Sequence, residues 1–220
     1  LEKENNIPWW YIEDVDLRDA FLESWKTDTR TNVIITHSKC NDGLGCVASA
    51  VAYSYCNGIP LPEDIYCKYG EYDFNEIKNI CKGRNVLIAD FSFPLTEFLE
   101  LREIANKVFV VDHHVKKKKK IGMCSNVFVD TTVSGAVLTY SFFFGHTVRI
   151  PFALELISDR DVWHLLHGIK TNAYMYMLLD VGAVKGLDVY IGVDEKDNDN
   201  KDYKLLNYLE SNNYKFLMKF

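Results

Sequence analysis

No stretch of this sequence approaches the roughly 18–20 consecutive apolar residues of a membrane-crossing helix, so no membrane is expected among its partners. Nor does it open on a basic region followed by an apolar core, so no secretory signal is visible. The first residue is leucine rather than methionine, which is compatible with a trimmed or excised segment. Six cysteines (Cys40, Cys46, Cys56, Cys67, Cys81 and Cys124) lie scattered among apolar neighbours without a Cys-x-x-Cys pair. A chain of this size does not need disulfides for stability, so the expectation is reduced thiols and an intracellular, cytoplasmic location. An excess of positive charge is also missing. The net charge of -6 argues against a protein that coats nucleic acid by bulk electrostatics, though a local basic site stays open. There is no internal repeat, and the one low-complexity tract is Lys116 to Lys120.

What is present suits an ordinary globular chain. Its 220 residues, 48% of them hydrophobic, suffice for one large domain or two small ones with a real core. Strand and helix signals alternate through the first two thirds. Asn32–His37, Asp64–Tyr69, Asn85–Asp90 and the run from Lys107 to Asp112 read as strands. Between them, Cys46–Tyr55, Phe74–Cys81 and a segment opened by Pro94 and running to Asn106 read as helices. This alternation predicts an α/β fold, a doubly wound parallel sheet with helices on both faces. Right-handed crossovers would bring the C-terminal ends of its strands to one edge.

An amphipathic segment, Asp14–Trp25, is expected to cap the sheet through Leu17, Phe21, Leu22 and Trp25. From Thr132 onward the pattern turns helical, with Ser134–Phe144, Pro151–Asp159 and Thr171–Leu179, and no strong strand signal follows. The polar stretch Asp194–Asp202 reads as a loop, and a last helix is expected from Tyr203. The expected organisation is therefore a helical segment over residues 1–30, an α/β domain over 31–165 and a helical segment over 166–220. That last segment could lead to a second domain outside this chain.

Four segments bring metal-type ligands to strand or helix ends. His37 closes a strand, and Asp42 follows in a glycine turn at a helix start. Asp90 closes the third strand, Asp112-His113-His114 closes the fourth, and Asp159-Arg160-Asp161 sits in a helical region. Open α/β sheets bind ligands at such an edge. Carboxylates and imidazoles together suit Mn²⁺ or a similar borderline ion. Two such ions a few ångströms apart can clamp a phosphoryl group and activate water for in-line attack.

In this order, the segments resemble the DHH phosphoesterases, the family that includes RecJ-type exonucleases, nanoRNases and family II pyrophosphatases. The resemblance runs from about Val33 to Trp163. It rests on His37 with Asp42-Gly43, the Asp90 strand end, Asp112-His113-His114, Ser134-Gly135-Ala136 and Asp159-Arg160-Asp161-Val162-Trp163. It implies one or two bound Mn²⁺ ions, with Mg²⁺ the alternative. By position, His37 and Asp42 would hold one ion, Asp90 would bridge both, and His113 with Asp161 would hold the second. Asp112 would orient the imidazoles, and His114 would face the phosphate or protonate the leaving oxygen. Lys116 and Lys117, which open the lysine run, would steer a polyanion, with a solvated loop the alternative. Backbone amides at Ser134 and Gly135 would receive a phosphate oxygen, with an ordinary serine cap the alternative.

One departure is visible. Many family members carry a second aspartate where this chain has Leu44, so the second ion lacks a ligand unless Asn41, Asp159 or water replaces it. Trp163 and Phe142-Phe143-Phe144 read as core rather than base-stacking platforms, Cys40 and Cys46 as buried small residues, and His146, His164 and His167 as structural. The expected function is a metal-dependent phosphoesterase acting on short or single-stranded nucleic acid or small nucleotides, and a homo-oligomer is compatible with it. Two alternatives stay open, a catalytically degenerate binding or scaffold protein on the same fold and a pyrophosphatase or polyphosphatase.

Overall fold

A computed structural model describes residues 15–114, 126–145, 147–172 and 174–175. Its elements include α1 (Val15–Thr27), β1 (Val33–His37), α2 (Asn41–Cys56), β2 (Glu63–Cys67), α3 (Phe74–Cys81), β3 (Asn85–Ala89), α4 (Leu95–Ile104), β4 (Lys107–Asp112), β5 (Val127–Val129), α5 (Gly135–Phe144) and α6 (Phe152–Asp161), and residues 169–172 and 174–175 are helical as well. The five strands form one sheet in the order β2-β1-β3-β4-β5, with every pair parallel. The fold is α/β, as the alternation predicted. Among the described residues no helix is long and apolar enough to cross a membrane.

The strands divide their side chains between two cores, because successive residues point to opposite faces. Ile34, Leu87, Phe109 and Val111 join one core with α1, α2, α5 and α6. Val33, Ile35, Val86, Ile88, Val108 and Val110 join the other with α3 and α4. β1 and β3 are buried along nearly their whole length, which is why they read as unbroken apolar runs rather than alternating ones. The chain leaves β1 through α2 on one face and returns to β3 through α3 on the other. The order therefore switches direction between β1 and β3, the place where open α/β sheets leave a crevice at their carboxyl ends. His37 and Asp90 stand at those two ends.

α5 is apolar all round and buried at all but its last residue, as a helix enclosed by its neighbours must be. It packs against α2 so closely that a Cβ on Gly45 would lie 2.6 Å from Ala136 Cβ. α1 belongs to the same core through Phe21, Leu22 and Trp25, the expected sheet-capping stripe, whereas Leu17 is exposed. The chain past residue 166 also reaches this core, because Tyr174 is fully buried in it.

Two local expectations change. A fifth strand, β5, pairs with β4 from Val110↔Val127 to Asp112↔Val129, where the sequence showed only a half-buried three-residue run. α2 begins at Asn41, so Gly43 and Gly45 lie inside the helix rather than in a turn before it. Leu179, the loop Asp194–Asp202, the helix from Tyr203 and the lysine run Lys116–Lys120 lie outside the described residues.

Candidate metal centre

The site is assembled at the carboxyl edge of β1, β3 and β4. The first turn of α2 lies against the end of β1, where a Cβ on residue 43 would meet the His37 carbonyl oxygen at 2.5 Å and Thr36 Oγ1 at 2.7 Å. Only glycine permits that approach, and it brings the neighbouring Asp42 into the crevice. The Asp42 side chain is fully buried. Its two oxygens accept the backbone N–H groups of Gly135 at 2.7 Å and Ala136 at 2.8 Å. A carboxylate on exposed helix N–H groups is a favourable pairing of charge with dipole.

That pairing corrects the expected phosphate cradle. The Gly135 amide is spent on Asp42, and the Ser134 amide donates to Ser158 Oγ at 3.1 Å. The Ser134 hydroxyl is buried and caps α5 by accepting from the Val137 amide at 3.5 Å. Gly135, with Ala136, therefore holds a protein carboxylate in place instead of a substrate oxygen, and Ser134 is occupied by Ser158 and Val137. Lys116 and Lys117 lie outside the described residues.

Asp90 follows β3 in a left-handed backbone conformation with φ 52°, and its amide donates to the Val111 carbonyl at 3.0 Å. Such a conformation in a residue other than glycine costs about 1–3 kcal/mol and marks a place where the surroundings dictate the geometry. Here α5 closes on it, since a Cβ on Gly135 would lie 2.7 Å from Asp90 Cβ. Asp90 Oδ1 lies 3.1 Å from His113 Nε2, while Asp90 Oδ2 is buried without a hydrogen-bond partner.

At the end of β4, Asp112 is wholly buried and saturated with donors. It accepts from the Ser92 hydroxyl, from the His113 and His114 amides at 2.8 and 3.2 Å, and from the His114 ring at 2.7 Å. Burial raises its pKa, but the bonds from His114 and Ser92 outweigh that and hold it below the usual carboxylate value. An ionised Asp112 requires a proton on His114 Nδ1, and this partner raises the His114 pKa.

The fourth segment separates its two aspartates. Asp161 Oδ2 lies 3.4 Å from His113 Nε2, with a side chain 28% exposed. Asp159 turns away and staples the following loop, accepting from the Leu166 and His167 amides at 2.6 and 3.1 Å and from the Thr171 hydroxyl. Asn41 donates to Met175 Sδ at 3.5 Å. Asp159 is therefore not free to stand in for the aspartate missing at Leu44, which is half-buried against the core.

Ligand-type atoms fall into three groups within 4.8 Å among the described residues: His37 with Cys40 and Asp90, Asp90 with His113 and His114, and Asp42 with His113 and Asp161. The expectation that His37 and Asp42 share one ion changes accordingly, because Asp42 is tied to α5 and faces His113. The group around His113 has carboxylates enough. The group short of one is that of His37, where Cys40 stands.

The charges ask for a cation. Burial and then Asp42 push Asp90 up to about 7, and the same two causes push Asp161 up to about 6. Burial disfavours a charged His113, yet Asp90, Asp42 and Asp161 around it raise its pKa to about 9. Raised carboxylate and imidazole pKa values in one cluster mark buried negative charge that a divalent cation would balance. His37 goes the other way, lowered by burial and by the nearby His114, so its ring is neutral and able to coordinate. Its ring lies 5.4 Å from that of Tyr69, which stacks on Phe91 at 4.5 Å. Oxygen and nitrogen donors, a buried unpartnered Asp90 oxygen and this charge pattern all fit divalent ions.

Sequence reasoning missed three residues here. Cys40 is half-buried beside the ligands rather than in either core. Ser92, one residue past Phe91, holds Asp112. Trp163, expected in the core, is 68% exposed, with the Arg160 guanidinium 4.0 Å from its ring centre. Its φ of 58° reflects the sharp end of α6, two residues past Asp161.

No protein-family model matches the chain. The sequence is 27% identical over 160 residues to an uncharacterized protein of Acanthamoeba polyphaga mimivirus, an alignment covering 68% of this chain and 37% of that protein. The fold is similar to the crystal structure of an uncharacterized protein from Helicobacter pylori. There the TM-score is 0.57 and the identity 16%, over 83% of this chain and 63% of the other. The chain thus spans little more than a third of the viral relative and under two thirds of the bacterial one.

Proposed function

We propose that this chain is a metal-dependent phosphoesterase of the DHH type, with Mn²⁺ as its ion, that hydrolyses phosphodiester bonds in short or single-stranded nucleic acid or small nucleotides. One observation carries the reading. Carboxylates from α2, the β3 end and α6 converge on the ring of His113, with contacts of 3.1–3.4 Å, at the crevice of a parallel sheet. Such a centre, when loaded, supplies charge neutralisation for a phosphoryl group and lowers the pKa of water.

The chain's own residues supply the rest. Asp42 is locked by the N-terminus of α5, so a ligand position is fixed before any ion arrives. Asp90, with one oxygen on His113 and the other unpartnered, is suited to bridge. Asp112 holds the His114 Nδ1 proton and raises the pKa of the ring, so its imidazolium, 41% exposed on the side chain, could pass the Nε2 proton to a leaving oxygen. A cytoplasmic location belongs to the same proposal, supported by the free thiols of Cys40, Cys46, Cys56, Cys67 and Cys81.

The test is hydrolysis of a generic phosphodiester with and without Mn²⁺, alongside pyrophosphate and polyphosphate. Mn²⁺-dependent cleavage of the diester, abolished in His113→Ala, is expected. Phosphate release from pyrophosphate alone would replace the substrate class, and binding without turnover of any of them would leave a scaffold protein.

A further inference from the structure

Cys40 occupies the N-cap of α2 without the side-chain oxygen with which Ser, Thr, Asp or Asn normally satisfies the helix amides; the Gly43 and Asp42 amides act on its sulfur instead, lowering a thiol pKa that burial and then Asp90 push up to about 12. It does not fill a core either, since neither hydrophobic cluster includes it. Its sulfur does lie in one group with a His37 ring nitrogen and an Asp90 oxygen, all within 4.8 Å of one another. The second observation is on Asp90, only 1% exposed, whose Oδ1 serves His113 and whose Oδ2 has no partner.

We infer that His37, Cys40 and Asp90 form a mixed nitrogen, sulfur and oxygen site for a thiophilic divalent ion, Zn²⁺ in preference to Mn²⁺, beside the oxygen-rich group of Asp42, His113 and Asp161. The inference rests on the metal-dependent reading above and deepens it to two unlike positions sharing Asp90. The chemistry of the donors carries it. Thiolate and imidazole suit Zn²⁺ and Co²⁺, whereas carboxylate-rich sets suit Mn²⁺ and Mg²⁺. Ligand atoms around a tetrahedral ion at about 2.0–2.3 Å lie about 3.3–3.8 Å apart, so the present group closes on one with a movement of about 1 Å. Binding breaks the Cys40 Sγ–H bond, forms a sulfur–metal bond and releases the proton to solvent, with no change of oxidation state.

The probe is Co²⁺, added to the metal-free full chain and followed by absorption. A sulfur-to-cobalt charge-transfer band in the near ultraviolet is expected, removed by Zn²⁺ but not by an excess of Mn²⁺. Cys40→Ser and Cys40→Asp should both lose the band. Cys40→Ser should weaken Zn²⁺ at least as much as the roughly 10–100-fold that loss of an outer-shell partner costs. Cys40→Asp supplies a second, oxygen ligand should the serine variant not fold. In the unaltered chain, Zn²⁺ should slow alkylation of Cys40 at least about tenfold and leave that of the exposed Cys56 unchanged. No band, a band that survives in either folded variant, or equal alkylation rates with and without Zn²⁺ would overturn the mixed site. The two readings fail separately. A Cys40-dependent band in a chain that hydrolyses nothing would refute only the phosphoesterase, and turnover without the band would refute only the sulfur ligand.

Discussion

Gly135 donates its backbone N–H to Asp42 Oδ2 at 2.7 Å, a bond that ties the start of α5 to the first turn of α2 across 93 residues of sequence. With the companion bond from Ala136, it makes one carboxylate both a structural staple and a candidate ligand. Asp161, by contrast, reaches His113 from the partly exposed end of α6.

Asp42→Asn and Asp161→Asn should therefore differ. The amide at position 42 sets a donor against backbone donors inside the protein, a loss of about 1–3 kcal/mol. At position 161 the change sets no donor against a backbone donor and removes a carboxylate that lies beside other carboxylates as well as His113, so the loss should be smaller than at position 42. Both should weaken Mn²⁺. Thermal unfolding in chelator together with calorimetric Mn²⁺ titration separates the two effects, and equal stability of the two variants would refute the staple.

Loading the site should release protons. With a pKa of about 9, His113 in the metal-free chain carries a proton at pH 8 and must lose it to coordinate. Mn²⁺ affinity should climb as the pH rises toward about 9 and then level. Calorimetry in buffers of different ionisation enthalpy should register the proton at pH 8. The metal-free chain has the matching sign in stability. A raised imidazole pKa stabilises fully below the ordinary value of 6.5, and that contribution is lost as the pH rises through about 9. His113→Ala should flatten both profiles.

Asp159 has the opposite sign. Burial raises its pKa, but bonds from Thr171, Leu166 and His167 win and lower it. Its stabilising effect is present above the ordinary value of 3.8 and lost as the pH falls through the depressed folded value. Asp159→Asn should cost about 1–3 kcal/mol at neutral pH, and the gap from the unaltered chain should narrow under acid. Urea unfolding at neutral and acid pH measures it, and a gap independent of pH would show that the carboxylate's charge is not what holds the loop.

These contrasts also show what could be read from residues alone. The strands were legible because β1, β3 and β4 are buried on both faces and write themselves as apolar runs ending in His37, Asp90 and Asp112. The partners of those ends were not. Whether Asp42 turns to His37 or to His113 is decided by α5 amides 93 residues away, which no local pattern encodes. Gly43 looked like a turn, whereas its role is the 2.5 Å approach to the His37 carbonyl, a contact between two elements. β5 was missed because a three-residue, half-buried strand carries too little periodicity. Trp163 was misplaced because a large aromatic beside a helix end is usually buried, while here α6 stops in a left-handed turn.

Exposed and stacked by Arg160, Trp163 offers a π-face near Asp161. Trp163→Ala should leave stability within about 0.5 kcal/mol. Base stacking is worth about 1–3 kcal/mol, so KM for a single-stranded oligonucleotide should rise about 5–150-fold while a small chromogenic diester is cleaved as before. Equal effects on both substrates would take Trp163 out of substrate recognition.

The central claim stands on Asp90, and Asp90→Asn tests it most directly, because asparagine tolerates the left-handed backbone that this position requires. The measurement is the Mn²⁺-dependent cleavage rate of a short labelled oligonucleotide by the unaltered chain and by the folded variant. The account predicts cleavage that chelator abolishes and that Asp90→Asn reduces by at least two orders of magnitude, on the scale of removing one electrostatic group from a catalytic site. Cleavage at the same rate in both proteins, or none in the unaltered chain with Mn²⁺ bound, would contradict it.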